Sequence, residues 1–341
     1  YWGDELEGRY EVGHTTGAAT IVLGPIVSDM QLDQSDAWFQ GTSIDYDRYN
    51  ISAGWSVAGV GDTNGDGFDD VLVGDPEYLR HQKGDVWGYG MAGLFLGPIS
   101  GVTDLCSADA TWFYGGAHAS TGYDVAAAGD VNGDGLADLL IGSPYGGIAG
   151  LDGGEVYVLT GPLSGNLEVE DAAAILGNDS GQDAAGRTVS SAGDFDGDGL
   201  DDILVGAPYD SQVHERGGAI YLVCSHLEGT LSLADAEITL FGQGRSAKLG
   251  SALAPAGDLD DDGYGDFVLG SHLASELAED SGAAFIFYGR SWHGEAPVSN
   301  LDDADAILSG AEDGDKAGRA VDGAGDVDGD GHSDLIIGQS S

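Results

Sequence analysis

Positive charge is what this chain has least of: 11 lysines and arginines stand against 59 aspartates and glutamates, and the formal net charge is −48. Such a surface repels nucleic acid and anionic membranes and draws in metal cations, so neither polyanion is an expected partner. Cysteine is nearly absent. Cys106 and Cys224 fall at different points of units that are not sequence neighbours, so no disulfide between them is expected. Cys224 closes the apolar run Ile220–Cys224 and reads as a small core residue. No stretch approaches the roughly 20 apolar residues that a membrane helix needs, so no membrane insertion is expected. No basic and apolar leader precedes Tyr1, a pattern shared by a secreted protein with its signal removed and by a trimmed chain.

Glycine, by contrast, is abundant. The 60 glycines show no three-residue period, which excludes collagen, and the 42% apolar content is enough for a core. The glycines therefore point to many tight turns.

One acidic motif recurs five times: DTNGDGFDD, DVNGDGLAD, DFDGDGLDD, DLDDDGYGD and DVDGDGHSD. Its first aspartates, Asp62, Asp130, Asp194, Asp258 and Asp326, stand 68, 64, 64 and 68 residues apart. A unit of this length holds four short strands with their loops. A small-residue strand precedes each motif (Trp55–Gly59, Tyr123–Ala128, Arg187–Ala192, Ser251–Ala256, Arg319–Ala324). A short apolar run follows it, at Val71–Val73, Leu139–Ile141, Ile203–Val205, Phe267–Leu269 and Leu335–Ile337. Runs this short, bounded by glycine, read as buried strands. Third strands are expected at Glu155–Thr160, Ala219–Cys224 and Ala283–Tyr288, and fourth strands around Trp112, Ala174, Ile238 and Ile307.

The expected fold is all-β: a β-propeller of four-stranded antiparallel blades in one domain, 1–341. Its blades would be residues 42–114, 115–177, 178–241 and 242–308. Residues 1–41 would supply a third strand (Gly17–Leu23) and a fourth (near Trp38) to a closing blade, whose first and second strands come from 309–341. Pairing Gly17–Leu23 with Leu335–Ile337 would close a five-bladed ring and remove two exposed sheet edges, which a solenoid or tandem sandwiches would keep. The alternative is a fragment of a seven-bladed propeller.

At Gly54-x-x-Val57, the acidic loop and Val73-Gly74-Asp75-Pro76, echoed by Val205-Gly206-Ala207-Pro208, the chain resembles the FG-GAP repeats of integrin α-subunit propellers and their bacterial relatives. The likeness runs over essentially the whole chain. It implies an extracellular or cell-surface recognition module and names no ligand.

The loops are expected to hold five Ca²⁺ ions. Hard Ca²⁺ takes six to eight oxygen ligands, and side chains at positions one, three, five and nine with the carbonyl of position seven supply them. The expected ligands are Asp62, Asn64, Asp66, Phe68 and Asp70; Asp130, Asn132, Asp134, Leu136 and Asp138; Asp194, Asp196, Asp198, Leu200 and Asp202. The last two loops add Asp258, Asp260, Asp262, Tyr264 and Asp266; and Asp326, Asp328, Asp330, His332 and Asp334. An EF-hand would need glutamate at position twelve, where this chain has Val73, Ile141, Val205, Leu269 and Ile337. Without a counter-ion, carboxylates at this spacing repel one another strongly.

If first strands run toward these loops, Arg9, Arg48, Arg80, Lys83, Arg187, Arg216, Arg245, Lys248, Lys316 and Arg319 lie on or beside the opposite face, and Arg290 does not. Two loops of that face carry aromatics beside arginine, marking Tyr46, Arg48, Tyr49, Tyr78, Arg80 and Trp87 as candidate ligand-binding residues. The leading expectation is a protein-binding adhesion module; a lectin with glycan sites between blades is second, and an extracellular polysaccharide-active enzyme third. No catalytic residues are assigned, because no nucleophile and base arrangement stands out.

Overall fold

The computed structural model describes residues 17–23, 35–41, 52–78, 80–82, 85–87, 90–113, 119–147, 153–177, 183–224, 227–274, 280–291, 298 and 300–340. Among them are β-strands and single 3-10 turns, with no α-helix.

Four complete sets of four antiparallel strands follow one another along the chain. The first comprises Ser56–Gly61, Asp70–Asp75, Met91–Phe95 and Ala110–Phe113. The second comprises Val125–Gly129, Asp138–Ser143, Glu155–Leu159 and Ala174–Gly177. The third comprises Thr188–Gly193, Asp202–Ala207, Ala219–Val223 and Ile238–Phe241. The fourth comprises Ala252–Gly257, Asp266–Ser271, Ala283–Phe287 and Ala306–Ser309. Two strand pairs flank them: Ala18–Ile21 with Ala37–Gln40, and Ala320–Gly325 with Asp334–Gly338. First strands begin later than the small-residue runs suggest. The glycine and the residue after it belong to a turn, as where Gly122 and Tyr123 both donate their N–H to Gly142 O.

Second and third strands are buried on both faces because each blade packs against two neighbours, as at Asp138–Ser143 and Glu155–Leu159. This is why their apolar residues run on without alternation. Aromatics fill the seams between blades: Trp112 meets Tyr157 at 5.0 Å between ring centroids, and Phe195 meets Phe267 at 4.9 Å.

One element has no signal in the sequence. Gly101–Asp104, Gly165–Leu167 and Gly229–Ser232 each pair in parallel with the fourth strand of the preceding unit. These short polar strands hand backbone hydrogen bonds from one blade to the next and cover an outer edge that would otherwise be open.

The blades meet closely through glycine. A Cβ on Gly142 would lie 2.0 Å from Gly186 O, and Gly74 faces Gly122, Gly206 faces Gly250 and Gly270 faces Gly318 in the same way. Glycine thus recurs in the second strand and before the first because two backbones touch there.

The ring closure expected from the chain ends is not formed. Ala18–Ile21 pairs with Ala37–Gln40 and Asp334–Gly338 pairs with Ala320–Gly325, and the two sets do not pair with each other. Apolar side chains stay uncovered at the last blades, with Ile336 62% and Leu308 46% exposed. Gly17 nonetheless sits against Ala53 backbone as Gly90, Gly154, Gly218 and Gly282 sit against their following units, so Ala18–Ile21 keeps the third-strand register.

Gly142→Ala is expected to destabilise the chain by about 2 kcal/mol or more, since the new methyl meets backbone that can move only by parting two blades. Gly135→Ala, in open space at φ 84°, is expected to cost only about 1 kcal/mol. Urea unfolding of the two variants measures the difference.

Candidate metal loops and the opposite face

Each acidic loop joins the first and second strands of its unit, and its first aspartate organises it. Asp62 Oδ1 accepts N–H bonds from Gly65 at 2.7 Å and Asp66 at 3.2 Å, while Oδ2 accepts one from Gly67 at 2.8 Å. Asp130 repeats the pattern with Gly133, Asp134 and Gly135, and Asp326 with Gly329, Asp330 and Gly331. Positions four and six need left-handed backbone, which glycine adopts freely at Gly65 and Gly67; the fourth loop places Asp261 there at φ 60°.

Position nine closes the loop from inside. Asp70, Asp138, Asp202 and Asp266 are fully buried, and each accepts at Oδ2 the N–H of position two. Burial opposes ionisation at three of these: Asp138 and Asp266 are pushed up to about 6, and Asp202, which also faces the Asp196 charge, to about 8. Carboxylate oxygens of Asp194, Asp196 and Asp198 lie within 4.8 Å of one another, as do those of Asp258, Asp260 and Asp262, and of Asp326, Asp328 and Asp334. Two oxygens bound to one Ca²⁺ at about 2.4 Å stand no more than about 4.8 Å apart, so oxygens gathered this closely are near enough to share one hard cation. In the first two loops the amides of Asn64 and Asn132 point at Asp66 and Asp134. The side chain of His332, whose backbone carbonyl is the expected ligand, approaches Asp261 of the neighbouring loop, Nδ1 to Oδ2 2.9 Å.

The loops also touch one another. The N–H of position eight donates to the position-one carbonyl of the preceding loop: Ala137 to Asp62 at 3.0 Å, Asp201 to Asp130 at 3.0 Å, and Gly265 to Asp194 at 2.9 Å. Turns between third and fourth strands lie at this same end, since Gly97 abuts Asp69 and Gly161 abuts Thr63. Arg290 is here too, its N–H on Phe195 O.

At the opposite end, cations and aromatics interleave. Trp55 and Tyr123 stand 5.5 Å apart between ring centroids. The Arg187 guanidinium lies 4.6 Å above Tyr123 and 5.3 Å from Tyr209, and Arg216 lies 5.8 Å from Tyr209. Arg187 also donates to Tyr145 Oη at 3.3 Å, and Trp55 and Tyr145 are about half exposed. Beyond this ladder, His272 is held below its usual value by burial first, then by Lys248, Arg319 and Lys316.

The expected ligand-binding residues fare differently. Tyr78 is buried, its hydroxyl 3.3 Å from Cys106 Sγ and its ring against Phe113, so it belongs to the core. Arg80 pairs across a short hairpin with Trp87. Tyr46, Arg48 and Tyr49 lie outside the described residues. Trp55, Tyr123 and Tyr209 carry no local signal because they lie far apart in sequence; only superposing the units puts Trp55, Tyr123 and Arg187 at one position.

Strand sets and acidic hairpin loops define an all-β blade-repeat protein. Residues 53–89, 121–159 and 185–223 match the FG-GAP repeat. The chain is 33% identical to integrin alpha-5 of Xenopus laevis over 227 residues, covering 64% of this chain and 19% of that protein. Integrin alpha-V of Gallus gallus is 30% identical over 228 residues, 64% of this chain and 20% of that protein. Phosphatidylinositol-glycan-specific phospholipase D of Bos taurus is 29% identical over 229 residues, 64% of this chain and 27% of that protein. The chain thus spans about a fifth to a quarter of these relatives, and its three FG-GAP repeats and integrin alpha likeness support an integrin-like FG-GAP propeller domain.

Half-buried Asp124 supplies a pH prediction. It accepts Ser56 Oγ–H at 2.9 Å and Val189 N–H at 2.9 Å, tying three units together, and burial lifts it to about 6. A carboxyl raised in the fold binds its proton more tightly there than in the unfolded chain, so ionised Asp124 works against folding above about 6. That cost is relieved as pH falls from about 6 toward the ordinary carboxyl value. Relative to Asp124→Asn in chelator, the wild type is expected to gain stability between pH 7 and 5; urea unfolding at each pH reads the sign.

Proposed function

We propose that this chain is a secreted or cell-surface recognition module, stabilised by calcium in its five acidic loops, that binds a protein ligand on the face opposite those loops. The observation that carries the reading is the ladder Trp55–Tyr123–Arg187–Tyr209–Arg216. Aromatics and arginine supply much of the binding energy at protein interfaces, and here they gather at one end of a chain with only 11 cations. The integrin relatives support adhesion as the class of function.

In this reading the loop ligands are the side chains of positions one, three, five and nine and the carbonyl of position seven. Calcium stabilises the fold by binding the native state alone, and the loop-to-loop hydrogen bonds spread its effect around the arc.

Two outcomes follow. Chelator is expected to lower the melting temperature by several degrees or more, and on calcium titration the loops at Asp62 and Asp130, each with one asparagine in place of a carboxylate, fill last; variants Asp66→Ala and Asp198→Ala separate the loops. On extracellular-protein and glycan arrays run side by side, Arg187→Glu is expected to weaken protein capture at least about tenfold, as loss of an interface anchor does. Capture of glycans alone, or capture indifferent to Arg187→Glu, would refute the protein-binding face.

A further inference from the structure

The third acidic loop differs from its neighbours in one chemical respect. At position nine of three other loops, the aspartate Oδ1 accepts a backbone N–H from the residue two places past the third strand: Asp70 from Gly97 at 2.8 Å, Asp138 from Gly161 at 3.0 Å and Asp266 from Gly289 at 2.8 Å. Asp202 has no such bond. Its Oδ1 is fully buried and without a hydrogen-bond partner. The sequence changes at the same place: where the other units read Leu96-Gly97, Thr160-Gly161 and Tyr288-Gly289, this unit reads Cys224-Ser225.

Cys224 brings a thiol to that spot. A carboxylate oxygen of Asp202, one of Asp196 and Cys224 Sγ all lie within 4.8 Å of one another, and Cys224 is 3% exposed. Asp196 also belongs to the outer group with Asp194 and Asp198, and Asp202 closes the same loop at position nine, so the inner set shares two carboxylates with the calcium loop and adds the thiol. The outer set is partly exposed.

We infer that Asp196, Asp202 and Cys224 form an inner site for a thiophilic divalent cation such as Zn²⁺, peculiar to this loop. Thiolate is the soft donor that separates zinc from calcium, and zinc accepts mixed sulfur and carboxylate sets. Tetrahedral donors around a zinc ion, with bonds of about 2.0–2.3 Å, stand about 3.3–3.8 Å apart, inside the 4.8 Å within which these three donors lie. On binding, the thiol gives its proton to solvent and the sulfur takes the metal. The Asp202 Oδ1, buried and without the backbone N–H its counterparts accept, has the Cys224 thiol as its neighbour and gains the metal as a partner in the same step. The inference rests on these loops being cation loops, and goes beyond it in metal, donor and position.

The test uses the full chain, stripped with chelator and resupplied with saturating Ca²⁺. Cys106→Ser leaves Cys224 as the lone thiol. With Cd²⁺ as the probe, this variant is expected to bind one equivalent with a sulfur-to-metal charge-transfer band in the ultraviolet, and Zn²⁺ to displace it. Zn²⁺, and not Ca²⁺, should also block Cys224 from a thiol reagent under mild denaturant. In Cys106→Ser/Cys224→Ser the band is expected to vanish and Zn²⁺ affinity to fall at least about tenfold, with melting in Ca²⁺ close to the wild type. Absence of the band in Cys106→Ser, or equal Zn²⁺ affinity with and without Cys224, would overturn the site. A Cys224-dependent band in a chain whose melting ignores Ca²⁺ would sustain this inference while defeating the calcium reading.

Discussion

Crowded carboxylates set the terms for the whole molecule. In the third, fourth and fifth loops, three carboxylate oxygens gather within 4.8 Å, where like charges repel strongly. The backbone answers part of that repulsion. The first aspartate of each loop collects N–H donors from the turn it begins, and the ninth collects one from position two. What remains is negative charge held at a fixed geometry, which is what a hard cation requires.

That loop geometry and the packing of blades are parts of one arrangement. The second, third and fourth loops each reach back through their eighth residue to the first residue of the loop before, so loop shape fixes where neighbouring blades sit. At the other end of the same strands, glycine backbones meet glycine backbones, as at Gly142 and Gly186. Between these two contacts the second and third strands of the inner blades, such as Asp138–Ser143 and Glu155–Leu159, have no exposed face, and aromatic pairs such as Trp112 and Tyr157 fill the seam. The first strands, short of bulky residues, are left with polar links such as that of Asp124 to Ser56 and Val189.

Much of this was legible in the sequence, because repetition turns weak local signals into a strong one. Five loops at near-even spacing established the unit, and apolar runs such as Leu139–Ile141 located its buried strands. Three things were not legible. The linking strands, such as Gly165–Leu167, are polar and three residues long, so nothing in them separates strand from loop. The ladder through Arg187 depends on residues 64 and 68 positions apart becoming neighbours, which a reading of single loops misses. Closure between Ala18–Ile21 and Asp334–Gly338 was argued from complementary strand counts, but counts set no angle between blades, and the arc stays open between those strands. Tyr78 shows the converse: an aromatic in a polar loop can fold back onto its own blade.

The most direct measurement is the number of calcium ions bound to the intact chain, read by native mass spectrometry after exchange into calcium as the sole divalent cation. Five equivalents, one for each loop and each lost when the first aspartate of its loop is replaced by alanine, is the result this account predicts. A folded chain that carries no calcium, with its carboxylates still gathered, would contradict it.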